Sequence, residues 1–264
     1  MIDPFILKLA LSFITGSLWI TFGTVLAERY GTKIGGLVAG LPSTILVSLF
    51  FIAWTQSPET AVAATTVVPI IGGINCLFII VYIYLARINF WLALSGALAV
   101  WFFSSLVLVI IRFDNFPFSI FAYISMLVFS YRIAEHRLAV KSETGRKIRY
   151  TIPIILFRGS FSGLVIVLAV VMTKIGGPLI GGTFTMFPAM FIGTLFITYF
   201  THGASFSAAV MKSSILGAIS VIVYGVSVRY TYVPLGLPAG TIVSLLISFC
   251  CSFLIHQFMS RKTT

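Results

Sequence analysis

The sequence predicts an all-α polytopic membrane protein with about nine transmembrane helices arranged as a 4+1+4 inverted-topology repeat. First, 59% of the 264 residues are hydrophobic and 9% are charged, with a mean hydropathy of +1.11. A soluble domain carries roughly 25% charged residues. Second, apolar stretches longer than about 18 residues recur along the whole chain, as in helices that cross a bilayer. Third, one sequence pattern occurs twice.

The apolar stretches set the order of the predicted spans. They lie at about 5–27, 35–55, 62–86, 90–111, 116–134, 151–172, 178–200, 206–228 and 235–257. The connectors are short, except for the basic stretch EHRLAVKSETGRKIRY after the fifth span. The first stretch is too long for the apolar region of a signal peptide and lacks a basic start, so we expect it to stay in the mature protein.

The charges predict the orientation. The net charge of +11 comes from 17 Lys and Arg against six acids, and basic residues collect in cytoplasmic loops. Placing the long basic connector in the cytoplasm leaves only Arg112, Lys174 and Arg229 outside. We therefore expect a multi-pass protein of the bacterial inner membrane, with its N-terminus outside and its C-terminus in the cytoplasm. No stretch joins a basic patch to a soluble fold, so nucleic acid is not an expected partner.

The repeated pattern is TKIGG, at residues 32–36 and again at 173–177. Downstream, Leu41-Pro42 aligns with Phe187-Pro188; upstream, Thr15 falls opposite Arg158. Spans 1–4 are thus predicted to recur as spans 6–9. Residues 1–112 form the first unit, 113–150 the joining helix with its connector, and 151–264 the second unit. A single joining helix turns the second unit over, which is the architecture of many secondary transporters.

The first unit resembles a known family. Its features are a Lys near the start of span 1, AGLP opening span 2, TT in span 3 and SGALAVWFFSS in span 4. In these it is similar to GlpM and its relatives, small four-span bacterial inner-membrane proteins, over roughly residues 5–112. The second unit would be a more distant copy. The activity of that family is not settled, so the resemblance implies membership rather than a mechanism.

The two proline segments, GGLVAGLPST and GGPLIGGTFTMFP, are the predicted substrate site. Transporters with inverted repeats bind their substrate near the midplane, where helices are interrupted. Proline removes a backbone N–H and glycine loosens the helix around it. Alternatively, the glycines only let helices pack closely. The candidate residues are Gly40, Pro42, Ser43, Thr44, Gly182, Thr183, Thr185 and Pro188.

Arg158 is the candidate for anion binding. It lies seven residues into span 6, roughly 11 Å deep at 1.5 Å per residue, and an intramembrane arginine is a functional hypothesis by default. Its guanidinium would hold a carboxylate or phosphate, alone or together with Lys212 of span 8. Thr15 is added to the candidate site as its counterpart in the first unit. The alternative for both cations is that they extend to the cytoplasmic interface.

No acid falls deep within a span and no enzyme motif occurs, so neither proton relay nor catalysis is predicted. The cysteines and histidines show no metal-ligand spacing, and no cofactor is expected. We therefore expect a transporter, either a secondary carrier or a facilitator, that moves a small or lipid-borne anion between spans 2 and 7. A lipid flippase and a non-transporting scaffold or assembly protein are the alternatives. The solute, the coupling ion and association into homo-oligomers stay open.

Overall fold

A computed structural model describes residues 3–29, 42–138, 140 and 151–261. Within these residues all regular structure is helical. The first TKIGG pattern and Gly40 lie outside the described residues, whereas the second TKIGG pattern lies within a helix.

The helices follow one another with short connections. In chain order they are α1 (Pro4–Arg29), α2 (Ser43–Thr55), α3 (Pro58–Ala64), α4 (Val68–Leu85), α5 (Phe90–Ile110), α6 (Phe116–Arg132), α7 (Ile152–Thr185), α8 (Ala189–His202), α9 (Ala204–Gly217), α10 (Ile219–Leu235) and α11 (Leu237–Arg261). A 3-10 turn, Thr65–Val67, joins α3 to α4, and a π-helical turn, Ile133–Arg137, extends α6.

Seven helical stretches of the described chain are long and apolar enough to cross a membrane. They are Pro4–Val25, Pro58–Leu85, Phe90–Ile110, Phe116–Arg137, Ile152–His202, Ala204–Leu235 and Leu237–Ile255. The sequence predicted nine spans, and the difference arises at two places. The stretch Ile152–His202 has 51 residues and contains two predicted spans. The helix α2 has 13 residues, shorter than the roughly 20 that a span needs, and nine spans stay a prediction.

The long helix α7 consists of two helices that meet at Gly177. This residue has φ 82° and ψ 176°, outside the helical region, and only glycine adopts a positive φ at little cost. Pro178 follows directly and starts the second helical piece. The chain therefore changes direction between the two predicted spans, at the end of the TKIGG pattern.

Close helix contacts surround a buried centre. The α3–α4 stretch is the most buried of the seven, and α4 packs against α5 and α6. The helix α1 packs along α7, where a Cβ at Gly163 would lie 2.9 Å from the carbonyl oxygen of Phe13. The helices α10 and α11 form a second close pair. Small residues thus allow backbones to approach each other, as in other membrane proteins.

At one end of the bundle, the start of α1 meets the end of α2 and the middle of α7. Lys8 donates a hydrogen bond to the carbonyl oxygen of Trp54 at 2.8 Å. Lys174 lies 3.6 Å from the ring centroid of Phe5. These three helix segments therefore share one face of the protein.

Candidate functional site

The helical path is interrupted between α7 and α8, at residues 186–188, and we call this segment the break. Pro188 is buried and precedes α8 with φ −75° and ψ 38°, and no side chain caps the helix. The N–H of Ala189 donates to the carbonyl oxygen of Phe187 at 2.8 Å. The N–H groups of a helix's first turn have no partner within the helix, and this end carries a partial positive charge. The α8 N-terminus is therefore an electropositive end inside the apolar bundle.

The helix α2 begins in the same way. Pro42 is buried and precedes it with φ −76° and ψ 56°, again without a side-chain cap. Ile45, in the first turn of α2, packs near Gly225 of α10, where a Cβ would lie 3.2 Å from its Cδ1 atom. Pro42 and Pro188 thus each precede a helix start without a side-chain cap, one near α10 and the other at the break.

Two polar side chains with unused hydrogen-bonding groups lie at the break. The Nδ2 atom of Asn75, on α4, donates to the carbonyl oxygen of Met186 at 2.9 Å. The ring of Trp101, on α5, makes an edge contact with the ring of Phe187, and the two ring centroids are 5.0 Å apart. Asn75 Oδ1 and Trp101 Nε1 are buried and have no hydrogen-bond partner among the described residues. Such groups are rare in native proteins and require an explanation.

Arg158 lies beside the first turns of α8. It is 9% exposed, and its Nη2 atom is 3.9 Å from the sulfur of Met190. The hydroxyl of Ser162 donates to the same sulfur at 3.8 Å. A Cβ at Gly193 would lie 3.0 Å from Cγ of Arg158, so this glycine makes room for the arginine side chain. The guanidinium is thus held between α7 and α8, next to the break.

The other candidates in the second proline segment make contacts within the bundle. The hydroxyls of Thr183 and Thr185 each donate to the carbonyl four residues earlier, at 2.9 Å. Gly182 packs directly on the carbonyl oxygen of Ala64 in α3. Packing therefore explains Gly182, and in this conformation both threonine hydroxyls donate within their own helix.

The candidates from the first unit are more dispersed. Ser43 and Thr44 are half-buried in the first turn of α2, and Thr15 is exposed on α1. An exposed residue on the outer surface of α1 does not face the break. The sequence pairing of Thr15 with the buried Arg158 therefore does not place the two residues in equivalent surroundings, because α1 and α7 bury different faces.

Lys212 has a protein partner that the sequence did not predict. Its Nζ atom lies 2.6 Å from Oε2 of Glu135 and donates to the carbonyl oxygen of Val140 at 2.7 Å. This ion pair connects α9 to the π-helical turn after α6. At the same end, Arg87 donates to the carbonyl oxygen of Leu138 at 2.6 Å. Lys212 thus binds Glu135 and Val140 after α6, whereas Arg158 lies next to the break.

Asn75, Trp101, Ser162 and Met190 complete the site and were not among the candidates. A polar residue in an apolar span is a signal that could have indicated Asn75, whose amide donates across helices to the carbonyl oxygen of Met186. Among the residues that the structure describes, no three His, Cys, Asp or Glu side chains are placed to hold a metal.

The chain was compared with known protein families. A family model described as a protein of unknown function (DUF3147) matches residues 9–114, from within α1 to just after the end of α5. No curated protein and no solved structure matches the chain. From α1 to α5 the chain is therefore similar to a family whose activity is not known.

Proposed function

We propose that the protein is a membrane transporter, a secondary carrier or facilitator that moves a small or lipid-borne anionic solute past the break between α7 and α8. The observation that carries this proposal is the buried Arg158 beside the uncapped start of α8. A guanidinium and a helix N-terminus both attract carboxylates and phosphates. Placed deep in an apolar bundle, they form a site for an anion within the membrane.

The unused polar groups indicate what else the solute carries. Trp101 Nε1 is a donor and Asn75 Oδ1 is an acceptor, and both are buried at the break. A solute with an anionic group and a hydroxyl would satisfy them together, since a hydroxyl both donates and accepts. The anionic group would lie against Arg158 and Ser162. We therefore favour small hydroxy acids and phosphate esters as the solute class.

The inverted repeat is part of the proposal. Pro42 and Pro188 precede their helices with similar backbone angles and without side-chain caps. The close pairs α4–α5 and α10–α11 occupy corresponding positions in the two predicted units. The match to the family model ends at residue 114, close to residue 112, where the predicted first unit ends. On these observations we propose a duplicated unit with nine crossings and a 4+1+4 topology. The resemblance to GlpM and the bacterial inner membrane stay predictions from the sequence.

The break is closed in this conformation. Thr183, Thr185 and Pro188 are buried, and Gly182 packs on α3. This packing is the observation that favours the second candidate, a scaffold that stabilises a membrane complex without moving a solute. A transporter has to open this contact during its cycle, whereas a scaffold keeps it closed.

Ligand-induced stabilisation tests the site. Purified protein is heated with lactate, inorganic phosphate or uncharged lactamide, and the unfolding temperature is followed. A bound anion at 100 times its Kd stabilises a protein by about 2.7 kcal/mol. We expect stabilisation by an anion but not by lactamide. Arg158→Gln should raise the Kd about tenfold or more, because a charge-assisted hydrogen bond contributes about 1.5–3 kcal/mol.

A matched arginine provides the control. Arg229, on α10, donates to Thr66 Oγ1 at 3.2 Å and lies 4.3 Å from the ring centroid of Phe116, so its partners differ from those of Arg158. Arg229→Gln should retain the anion response, and Arg158→Lys should weaken it less than Arg158→Gln because the charge remains. If wild-type protein responds to no anion and takes up neither probe in proteoliposomes, the scaffold is supported. An unchanged response in Arg158→Gln would exclude this arginine from the site.

A further inference from the structure

A groove runs along the outer face of α6 and its π-helical extension. It has a volume of about 590 Å³. Its lining residues are Ile124, Ser125, Val128, Phe129, Arg132, Ile133, His136 and Arg137. From Ile124 to Arg137 the lining extends for about 20 Å at 1.5 Å per residue. This is slightly more than one leaflet's hydrocarbon, about 15 Å.

The lining separates into two chemical parts. The first two turns are apolar apart from one serine, and all the titratable side chains, Arg132, His136 and Arg137, lie at the far end. Arg132 ends α6, and the π-helical turn Ile133–Arg137 carries the other two, so all three line the same groove. Single π-turns within helices occur frequently at functional sites. The groove thus has an apolar length and a basic end.

The nearby acid does not neutralise this basic end. Glu135 belongs to the same turn, but its carboxylate is 2.6 Å from Nζ of Lys212, on α9. Glu135 is absent from the groove lining. Arg87, the other cation from a neighbouring element, donates to the carbonyl oxygen of Leu138. The charge that faces the groove is therefore positive.

We infer that this groove binds an anionic phospholipid, with its phosphate at Arg132, His136 and Arg137 and its acyl chain along the apolar turns. Any exposed apolar helix face in a bilayer contacts acyl chains, so the apolar part alone selects no lipid. The basic end selects by charge, since arginines near the membrane surface attract anionic headgroups. A soluble anion would gain nothing from the apolar length, and a zwitterionic lipid would gain little from three basic groups.

Lipid retention in nanodiscs tests this inference. Protein in equimolar phosphatidylglycerol and phosphatidylcholine is released in the mass spectrometer, and the retained lipids are counted. Each arginine near the surface contributes about fivefold to the binding of anionic lipid. In the double variant Arg132→Gln/Arg137→Gln, the ratio of retained phosphatidylglycerol to phosphatidylcholine should therefore fall about 25-fold. Arg112→Gln, an exposed arginine before the start of α6, is the matched control and should keep it.

Two further measurements keep the inference testable if the double variant folds poorly. Wild-type preference for phosphatidylglycerol should fall as salt rises from about 50 to about 500 mM, because exposed charges are screened. Val128→Trp should reduce retention of phosphatidylglycerol by filling the apolar part. Equal retention of both lipids by wild type overturns the inference. So does displacement of phosphatidylglycerol by about 10 mM inorganic phosphate, which would indicate a site for the free ion.

Discussion

Gly182 tests how closely α7 packs on α3 next to the break. In Gly182→Ala the new Cβ would overlap the carbonyl oxygen of Ala64 and lie 2.8 Å from Cγ2 of Val67. The first of these is a backbone atom of α3, which cannot rotate away, so α7 and α3 have to separate. Overpacking of this kind costs about 1–3 kcal/mol. Alanine gains about 0.5–1 kcal/mol in helix propensity, so we expect a net loss of up to about 2.5 kcal/mol.

Thermal unfolding in detergent measures this loss, with Gly217→Ala as the matched control. A Cβ at Gly217, in the last turn of α9, meets no atom within 4 Å. The same substitution there should stabilise the protein slightly, because only the propensity changes. Opposite signs at the two positions are expected. If Gly182→Ala is as stable as Gly217→Ala, α7 and α3 do not approach as closely as the structure shows.

Three further predictions concern other contacts. Asn75→Ala should lower the free energy of unfolding by about 1–3 kcal/mol, because the carbonyl oxygen of Met186 then stays buried without its donor. Unchanged stability in thermal unfolding would contradict this. In a double-mutant cycle, the losses in unfolding free energy for Glu135→Gln and Lys212→Met should differ from additivity by about 1 kcal/mol. This coupling energy is small because Glu135 is partly exposed to solvent; additive losses would mean that the ion pair contributes nothing. In a background without native cysteines, a cysteine at Ser57 should label in intact cells and one at Ser142 only after lysis, and equal labelling would refute the nine-span topology.

Some features of the fold follow from local sequence. Apolar length predicts the helices that are long enough for a bilayer, and the structure has seven of them among the described residues. Pro42 and Pro188 marked helix interruptions, because proline has no N–H to donate, and both precede a helix start in the structure. The glycine pair in the second TKIGG pattern ends at Gly177, where the chain leaves the helical region. These are properties of neighbouring residues, which the sequence alone can predict.

The membership of the site was not predictable in the same way. Arg158 was a candidate because a charge stands out in an apolar span, but its neighbours Met190 and Gly193 carry no such signal. Trp101 resembles the other aromatic residues of the spans until its contact with Phe187 is known. Lys212 was grouped with Arg158, whereas it pairs with Glu135, which lies far away in the sequence.

The residue pattern alone predicts a helical membrane protein, most of its helical segments, a helix start after Pro42 and Pro188, and the cation Arg158 within an apolar span. The packed helices were needed to find which of them meet at the break and which polar groups lie beside it. Lipid and protein interior are equally apolar, so apolar residues occupy both the buried and the exposed faces of each helix. Hydrophobic periodicity reveals the buried face of a helix in a soluble protein. It does not do so in these helices, so the face that each helix buries is known only from the structure.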